Sequence, residues 1–178
     1  MTKPHWVYSH KRSLLVLSNI LIFGNSGSGK STLAKSMCGS QGLAHLDLDL
    51  LAWEATTPPQ RKELSASKIE IEHFIKTNKS WVIEGCYTDL LELAAPYSSE
   101  IIYMNLPIAS CISNAKSRPW EPHKYESKQA QDENLAMLID WISRYEERDD
   151  TFSASAHQNF YNNYTGKKRV IKSNQKFV

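Results

Sequence analysis

Apolar residues in this chain fall into short, evenly spaced runs separated by segments with a helical period. Ile20-Leu21-Ile22-Phe23 is the run that opens the domain proper. Continuous apolar residues without alternation predict a strand buried on both faces, as in a parallel sheet. Further strands are expected at Ala44–Leu48, Trp81–Ile83, Glu100–Leu106 and Arg169–Lys172. Between them, Leu64, Ile71, Phe74 and Ile75 share one face of a helix expected over about Gln60–Lys76. Ile108, Cys111, Ile112 and Ala115 do the same after Pro107, as do Leu135, Leu138, Ile139 and Ile142 within a long helix over about Gln129–Arg148. Shorter helices are expected from Lys30 to about Cys38, from Asp89 to Ala95 and from Phe152 to Tyr161. Gly39 and Gly42 stop the first of these, and Pro96 follows the second. Strands that alternate with helices predict an α/β fold in three layers, a parallel five-stranded sheet with helices on both faces.

Three stretches break the pattern. Residues 1–18 read as an N-terminal extension, in which Leu14 to Leu17 either adds a short strand or packs on the surface. Residues 19–178 read as one domain, a size that suits a single core. Trp53 to Pro59 reads as a loop, with Pro58 and Pro59 at the start of the next helix. Ser117 to Tyr125 contains Pro119 and Pro122, so it must leave the packed body.

Composition narrows the function classes. The net charge is only +2, which argues against bulk nucleic-acid binding but leaves room for a local anion site. Cys38, Cys86 and Cys111 are far apart, with no zinc or C-x-x-C spacing, and read as reduced thiols. His5, His10, His45, His73 and His157 show no metal spacing either. The apolar run Leu14–Phe23, broken by Ser18 and Asn19, is too short to span a bilayer. The expected location is the cytoplasm, without a membrane partner.

The strongest chemical signal follows the first strand. Gly24-Asn25-Ser26-Gly27-Ser28-Gly29-Lys30-Ser31 fits G-x-x-x-x-G-K-[ST] without a gap. Its glycines let successive N–H groups turn inward and let the backbone approach phosphate oxygens. The helix that begins at Lys30 presents its positive end to the anion. The motif therefore assigns the phosphates of ATP to this loop and to Thr32 just after it. Lys30 would reach the β- and γ-phosphates, and the Ser31 hydroxyl would ligate Mg²⁺. An N-K-x-D base-reading motif is missing, since Asn78-Lys79-Ser80-Trp81 lacks the Asp. A long apolar strand ending in Asp-Glu is missing as well. A compact kinase-like P-loop NTPase fold remains, with substrate helices and a short lid.

Here the chain resembles the small P-loop kinases of adenylate, shikimate and gluconate. It is most similar to the DNA topology modulation protein, or adenylate-kinase-related, family. The matching strings are Ile22-Phe23-Gly24 through Leu33, His45-Leu46-Asp47 with Trp53 after it, Trp81-Val82-Ile83-Glu84-Gly85-Cys86-Tyr87, and Leu106-Pro107. They cover about Asn19 to Gly166. Cys86 stands where the family usually has Asn, and Asn105 where it usually has Asp. The Arg that commonly follows Tyr87 is missing from Thr88-Asp89-Leu90-Leu91-Glu92.

The resemblance assigns further roles. Asp47 and Asp49 end the second strand, where alternate residues share a face and ligands of parallel sheets gather. By likeness to shikimate kinases, Asp47 would hold Mg²⁺ through water and Asp49 would meet the acceptor hydroxyl. Glu84 would orient a metal-bound water, while Gly85, Tyr87 and Trp53 would meet the acceptor. Lys116, Arg118, His123 and Lys124 would form a basic lid over about 117–125. Arg118 would stabilise charge there, and Arg144 on the next helix would contact the transferred phosphoryl. Trp120 and Trp141 are further candidates for the acceptor wall. The leading expectation is an ATP-dependent phosphotransferase acting on a small acceptor, with Mg²⁺ as cofactor. A nucleotide-binding regulatory protein or slow ATPase is the alternative. The cluster Lys167-Lys168-Arg169 keeps a nucleic-acid role in view as a third. Oligomeric state is left open.

Overall fold

The computed structural model describes residues 18–56, 58–122 and 124–174. The expectation for Leu14 to Leu17 lies outside these residues. Five strands form one parallel sheet: β1 (Asn19–Gly24), β2 (Ala44–Asp47), β3 (Trp81–Gly85), β4 (Glu100–Met104) and β5 (Lys167–Ile171). Their order is β2-β3-β1-β4-β5, so β1 sits centrally between β3 and β4. β1 runs on to β2 on one side while its neighbour β3 runs on to β4 on the other, and the crevice at the carboxyl ends of these two strands is where such sheets hold ligands.

Helices α1 (Lys30–Gln41), α2 (Leu64–Thr77), α3 (Thr88–Ala94), α4 (Ile108–Lys116), α5 (Lys128–Glu133), α6 (Leu135–Ser143) and α7 (Ala154–Asn163) surround the sheet. One core layer joins Leu21 and Phe23 of β1 to Ile71 of α2, Leu90 of α3 and Phe160 of α7. The opposite layer joins Ile20 and Ile22 to Leu33 of α1, Cys111 of α4 and Ile142 of α6. The central strand thus buries both faces, which is why its apolar run does not alternate. Caps match the local residues: Gly42 closes α1 in a left-handed conformation, and Ser127 and Ser153 accept N–H groups at the starts of α5 and α7.

Two expected helices are corrected. The one placed from Gln60 starts at Leu64 instead, because residues 60–62 return alongside 52–54. Glu54 donates to the Gln60 carbonyl and Lys62 to the Ala52 carbonyl, with Trp53 and Arg61 bridged antiparallel. Pro58 and Pro59 belong to that turn and do not open a helix. The long helix over Gln129–Arg148 is broken at Asn134 and tightens to a 3₁₀ turn over Arg144–Glu146. Asn is a weak helix former. Its side chain donates to the Tyr125 hydroxyl at 2.9 Å, so the break ties the helix to the proline-rich segment.

The basic cluster on β5 is engaged within the fold. Lys167 and Arg169 both pair with Glu100, at 2.8 and 2.9 Å, and Lys168 donates to three backbone carbonyls. Among the described residues, no helix is long and apolar enough to cross a membrane.

Candidate functional site

The phosphate loop is held in shape from several sides. Gly24 has φ +143°, and any Cβ there would collide with the Met104 carbonyl of β4. Gly27 has φ +74°, and a Cβ there would strike the Cys111 carbonyl of α4. A left-handed backbone pressed against a carbonyl admits only glycine. Two amide side chains clamp the loop from outside. Asn25 donates to the Ile142 carbonyl, an end-of-helix acceptor on α6, and Asn114 donates to the Gly27 carbonyl. Lys30 donates to the Asn25 carbonyl across the loop at 2.9 Å.

A cavity of about 640 Å³ opens beside the loop. Residues 26–32 line it, together with Asp49, Glu84, Gly85 and the proline-rich segment from Ser117 to Pro122 with Lys124 and Tyr125. Gly24 and Asn25 lie behind this wall and shape the loop. The Ser28 hydroxyl and the Asn25 Oδ1 are buried without a hydrogen-bond partner. An unpaired buried hydroxyl in a ring of helix-start N–H groups suits an anion.

The acids meet at the other end. The second strand stops at Asp47, whose Oδ1 caps a 3₁₀ turn over Leu48–Leu50 by accepting the Asp49 N–H. Asp49 is therefore not on the strand, and the argument from alternate strand positions does not apply to it. The turn still brings the two carboxylates together: Lys124 lies 2.9 Å from Asp47 Oδ2 and 2.6 Å from Asp49 Oδ2. Tyr87 donates to Asp49 Oδ1 at 2.6 Å, and the Trp53 indole donates to the Tyr87 hydroxyl at 2.8 Å. Glu84 pairs in register with Asp47 and is 1% exposed; its Oε1 has no hydrogen-bond partner. The His45 ring stands 3.6 Å from it.

These contacts separate the electrostatics of the pair. Burial raises the pKa of Asp47, helped by Glu84 and Asp49 and only partly offset by Lys124. Burial also opposes charge on Asp49, but Lys124 and the hydrogen bonds from Lys124 and Tyr87 hold it below the usual carboxylate range. Lys124 loses solvation, yet both aspartates raise its pKa, so it stays an ammonium. Burial pushes the Cys86 thiol up to about 12, which leaves it neutral.

Several expected site residues are placed differently. Arg144 is exposed, pairs with Asp140 at 3.4 Å and is not in the cavity wall. The 3₁₀ turn at the end of α6 carries it off the face that a continuous helix would have given. Arg118 does line the cavity, paired with Glu121 at 3.0 Å, and its Nε is buried without a hydrogen-bond partner. Trp53 and Tyr87 stand behind Asp49 and hold it. Gly85 touches the cavity, but its missing side chain also makes room for Leu48 and the Tyr87 ring. Trp120 lines the cavity, whereas Trp141 packs on Phe152 and beneath the Arg148 guanidinium. His123 lies outside the described residues.

Other residues in and around the site escaped sequence reasoning. Lys35 lines the cavity, four residues after Ser31 and so on the same helix face. Asn114 and Asn174 exchange amide hydrogen bonds at the cavity wall; their separation in sequence gave no signal. Arg61 sits over the Tyr87 ring at 4.9 Å and pairs with Asp89 at 2.9 Å. A cation from the turn before α2 thus stands beside Tyr87.

Among the described residues, no group of three or more His, Cys, Asp or Glu is arranged to hold a metal. Of the two expected magnesium ligands, Ser31 lines the cavity, whereas Asp47 is buried, is absent from the cavity wall and has its Oδ2 paired with Lys124.

No protein-family model matches the chain, and no curated protein matches it significantly. Solved structures do. The chain is similar to shikimate kinase from Acinetobacter baumannii in complex with shikimate, at 16% identity and TM-score 0.50, covering 91% of this chain and 87% of that one. It is also similar to a gluconokinase from Sinorhizobium meliloti 1021, at 12% identity and TM-score 0.51, covering 90% and 85%. At such identities the likeness is one of architecture: the chain has the P-loop kinase-like α/β fold.

Proposed function

We propose that the protein is an ATP-dependent phosphotransferase acting on a small hydroxyl- or phosphate-bearing acceptor. The observation that carries this reading is a single cavity walled by the phosphate loop, by Asp49 and Glu84, and by a basic segment that closes its third side. Loop N–H groups, Ser28 and Lys30 would take the phosphates. Ser31 and Asp47 would hold Mg²⁺, which neutralises phosphate charge when bound. Asn114 and Asn174, paired with each other beside Gly27, would brace the cavity wall next to the phosphates.

The chemistry needs little beyond positioning and charge. An acceptor oxygen forms a bond to the γ-phosphorus as the bond to the β–γ bridging oxygen breaks. The acceptor's proton passes to Asp49, which Tyr87 holds in place. Lys30 and Arg118 offset the charge that shifts between the oxygens. A lid over the cavity excludes water, which would otherwise take the phosphoryl group.

The second reading, a nucleotide-binding regulator or slow ATPase, is favoured by one observation. Both Asp49 oxygens already accept hydrogen bonds, one from Tyr87 and one from Lys124. A thermal-shift screen separates the two. With Mg²⁺ and a non-hydrolysable ATP analogue present, a kinase should gain a further rise in Tm from one class among nucleosides, nucleotides, sugars and sugar acids. No further rise with any class favours the regulator.

A further inference from the structure

Lys124 occupies an unusual place for a lid side chain. Its nitrogen is shared between Asp47 Oδ2 and Asp49 Oδ2, at 2.9 and 2.6 Å. Asp47 has already committed Oδ1 to the Asp49 N–H, so Oδ2 is the oxygen it can offer a cation. Glu84 adds a third carboxylate in register with Asp47, buried at the cavity wall, its Oε1 without a hydrogen-bond partner and 3.6 Å from the His45 ring. Among the described residues, Lys124 is the ammonium bonded to both aspartates, and a cation of higher charge would compensate the clustered carboxylates better. Lys30 of the phosphate loop bonds the Asn25 carbonyl and acts on Asp49 through its charge.

The lid around Lys124 is built to hold it there. Tyr125 is tied twice, its carbonyl by the Trp120 indole and its hydroxyl by Asn134. Gln131 accepts from the Glu121 N–H and donates to the Pro119 carbonyl. The strap therefore has internal order and ends in a latch on the acids.

We infer that Lys124 is an internal counter-ion standing in the divalent-cation position of the acid pair, so that the latch and a metal at Asp47 exclude one another. The inference rests on the proposed function for its metal and supplies that function with a gate. Asp47 would hold Mg²⁺ brought in with nucleotide, and Lys124 would then leave its carboxylate. Its departure frees Asp49 Oδ2 to accept the acceptor's proton and frees the ammonium for a phosphate oxygen.

The test compares wild type with Lys124→Gln, which keeps reach and polarity but loses charge. Calorimetry gives the affinity for a non-hydrolysable ATP analogue with Mg²⁺ and again with EDTA. If Lys124 competes with the metal, the Mg²⁺-dependent gain should be about tenfold larger in the variant, because no ion pair must break. Adding Asp47→Asn to the variant should abolish that increase. An unchanged or smaller gain in Lys124→Gln overturns the inference, since Lys124 would then work beside the metal. So would an increase that survives Asp47→Asn. A second readout needs no nucleotide: amide exchange across the lid should quicken about tenfold in Lys124→Gln. If neither protein binds the analogue, the proposed function fails, and unchanged lid exchange would then remove the latch as well.

Discussion

Lys30 and Asp47 act on different parts of the same ligand in this account, and single substitutions should separate them. The Lys30 ammonium stands where phosphate charge would be densest, and its partner within the protein is a neutral carbonyl. Lys30→Ala should keep the fold and weaken binding of an ATP analogue by about tenfold to a hundredfold, the range of a lost charge-assisted bond. Unchanged calorimetric affinity in a folded variant would contradict the assignment. Asp47→Asn should instead lower Mg²⁺-dependent transfer more than nucleotide affinity, because the loop amides bind most of the phosphate. Full transfer activity in that variant would make Asp47 a structural cap for the turn at Leu48. The loop residues were legible because eight consecutive positions carry the whole motif. The Tyr87–Asp49–Lys124 cluster was not, since hydrogen bonds across 38 and 75 positions of sequence depend on how the turn after β2 and the lid fold back.

Elements were readable wherever burial alone determined them. The strands over Ile20–Phe23 and Trp81–Ile83 and the helix after Pro107 follow directly from apolar spacing. Expectation failed where a polar side chain at an element's end decides its geometry. Asn134 breaks the long helix by bonding Tyr125, and the turn at Arg144–Glu146 then moves Arg144 into solvent. Asn25 is the matching case at the other end of α6: its amide satisfies the Ile142 carbonyl and anchors the phosphate loop to that helix. Asn25→Ala would remove the side-chain donor to this carbonyl, which the Arg144 N–H also reaches, and should cost about 1 kcal/mol in urea unfolding. It should also weaken nucleotide binding, although Asn25 lies behind the cavity wall. A variant as stable as wild type would mean that the clamp is dispensable. For the lid, Arg118→Ala should slow transfer roughly tenfold to a thousandfold while changing ATP affinity less, as for a lost charge-stabilising donor. Equal losses in both would make Arg118 a binding residue only.

At the scale of the whole molecule, a buried polar chain fixes the sheet to the helices behind the site. His157 Nε2 faces the Cys86 carbonyl at 2.9 Å and so carries the proton; its Nδ1 accepts from Tyr145 at 2.7 Å, and Tyr103 donates to Tyr145 at 3.1 Å. This chain links α7 and the Arg144–Glu146 turn to β4 and to the residue after β3. Burial, opposed by the Cys86 carbonyl, lowers the His157 pKa to about 3. The unfolded chain, with an ordinary histidine, binds the proton from about pH 6.5 downward, whereas the folded protein does not. Stability from the neutral ring is therefore complete above that pH and is lost as pH falls toward 3, at about 1.4 kcal/mol per unit. Urea unfolding between pH 6 and 4 should show this slope in wild type and lack that contribution in His157→Gln; identical slopes would contradict it. The account's central claim, that one cavity joins phosphate loop, acids and lid for phosphoryl transfer, is tested most directly with γ-labelled ATP. The protein and Mg²⁺ are incubated with the acceptor class that thermal shift selects, and the fate of the label is followed by chromatography. The account predicts label on the acceptor, lost with Lys30→Ala. Label released only as inorganic phosphate, or left on ATP at every acceptor concentration, would contradict it.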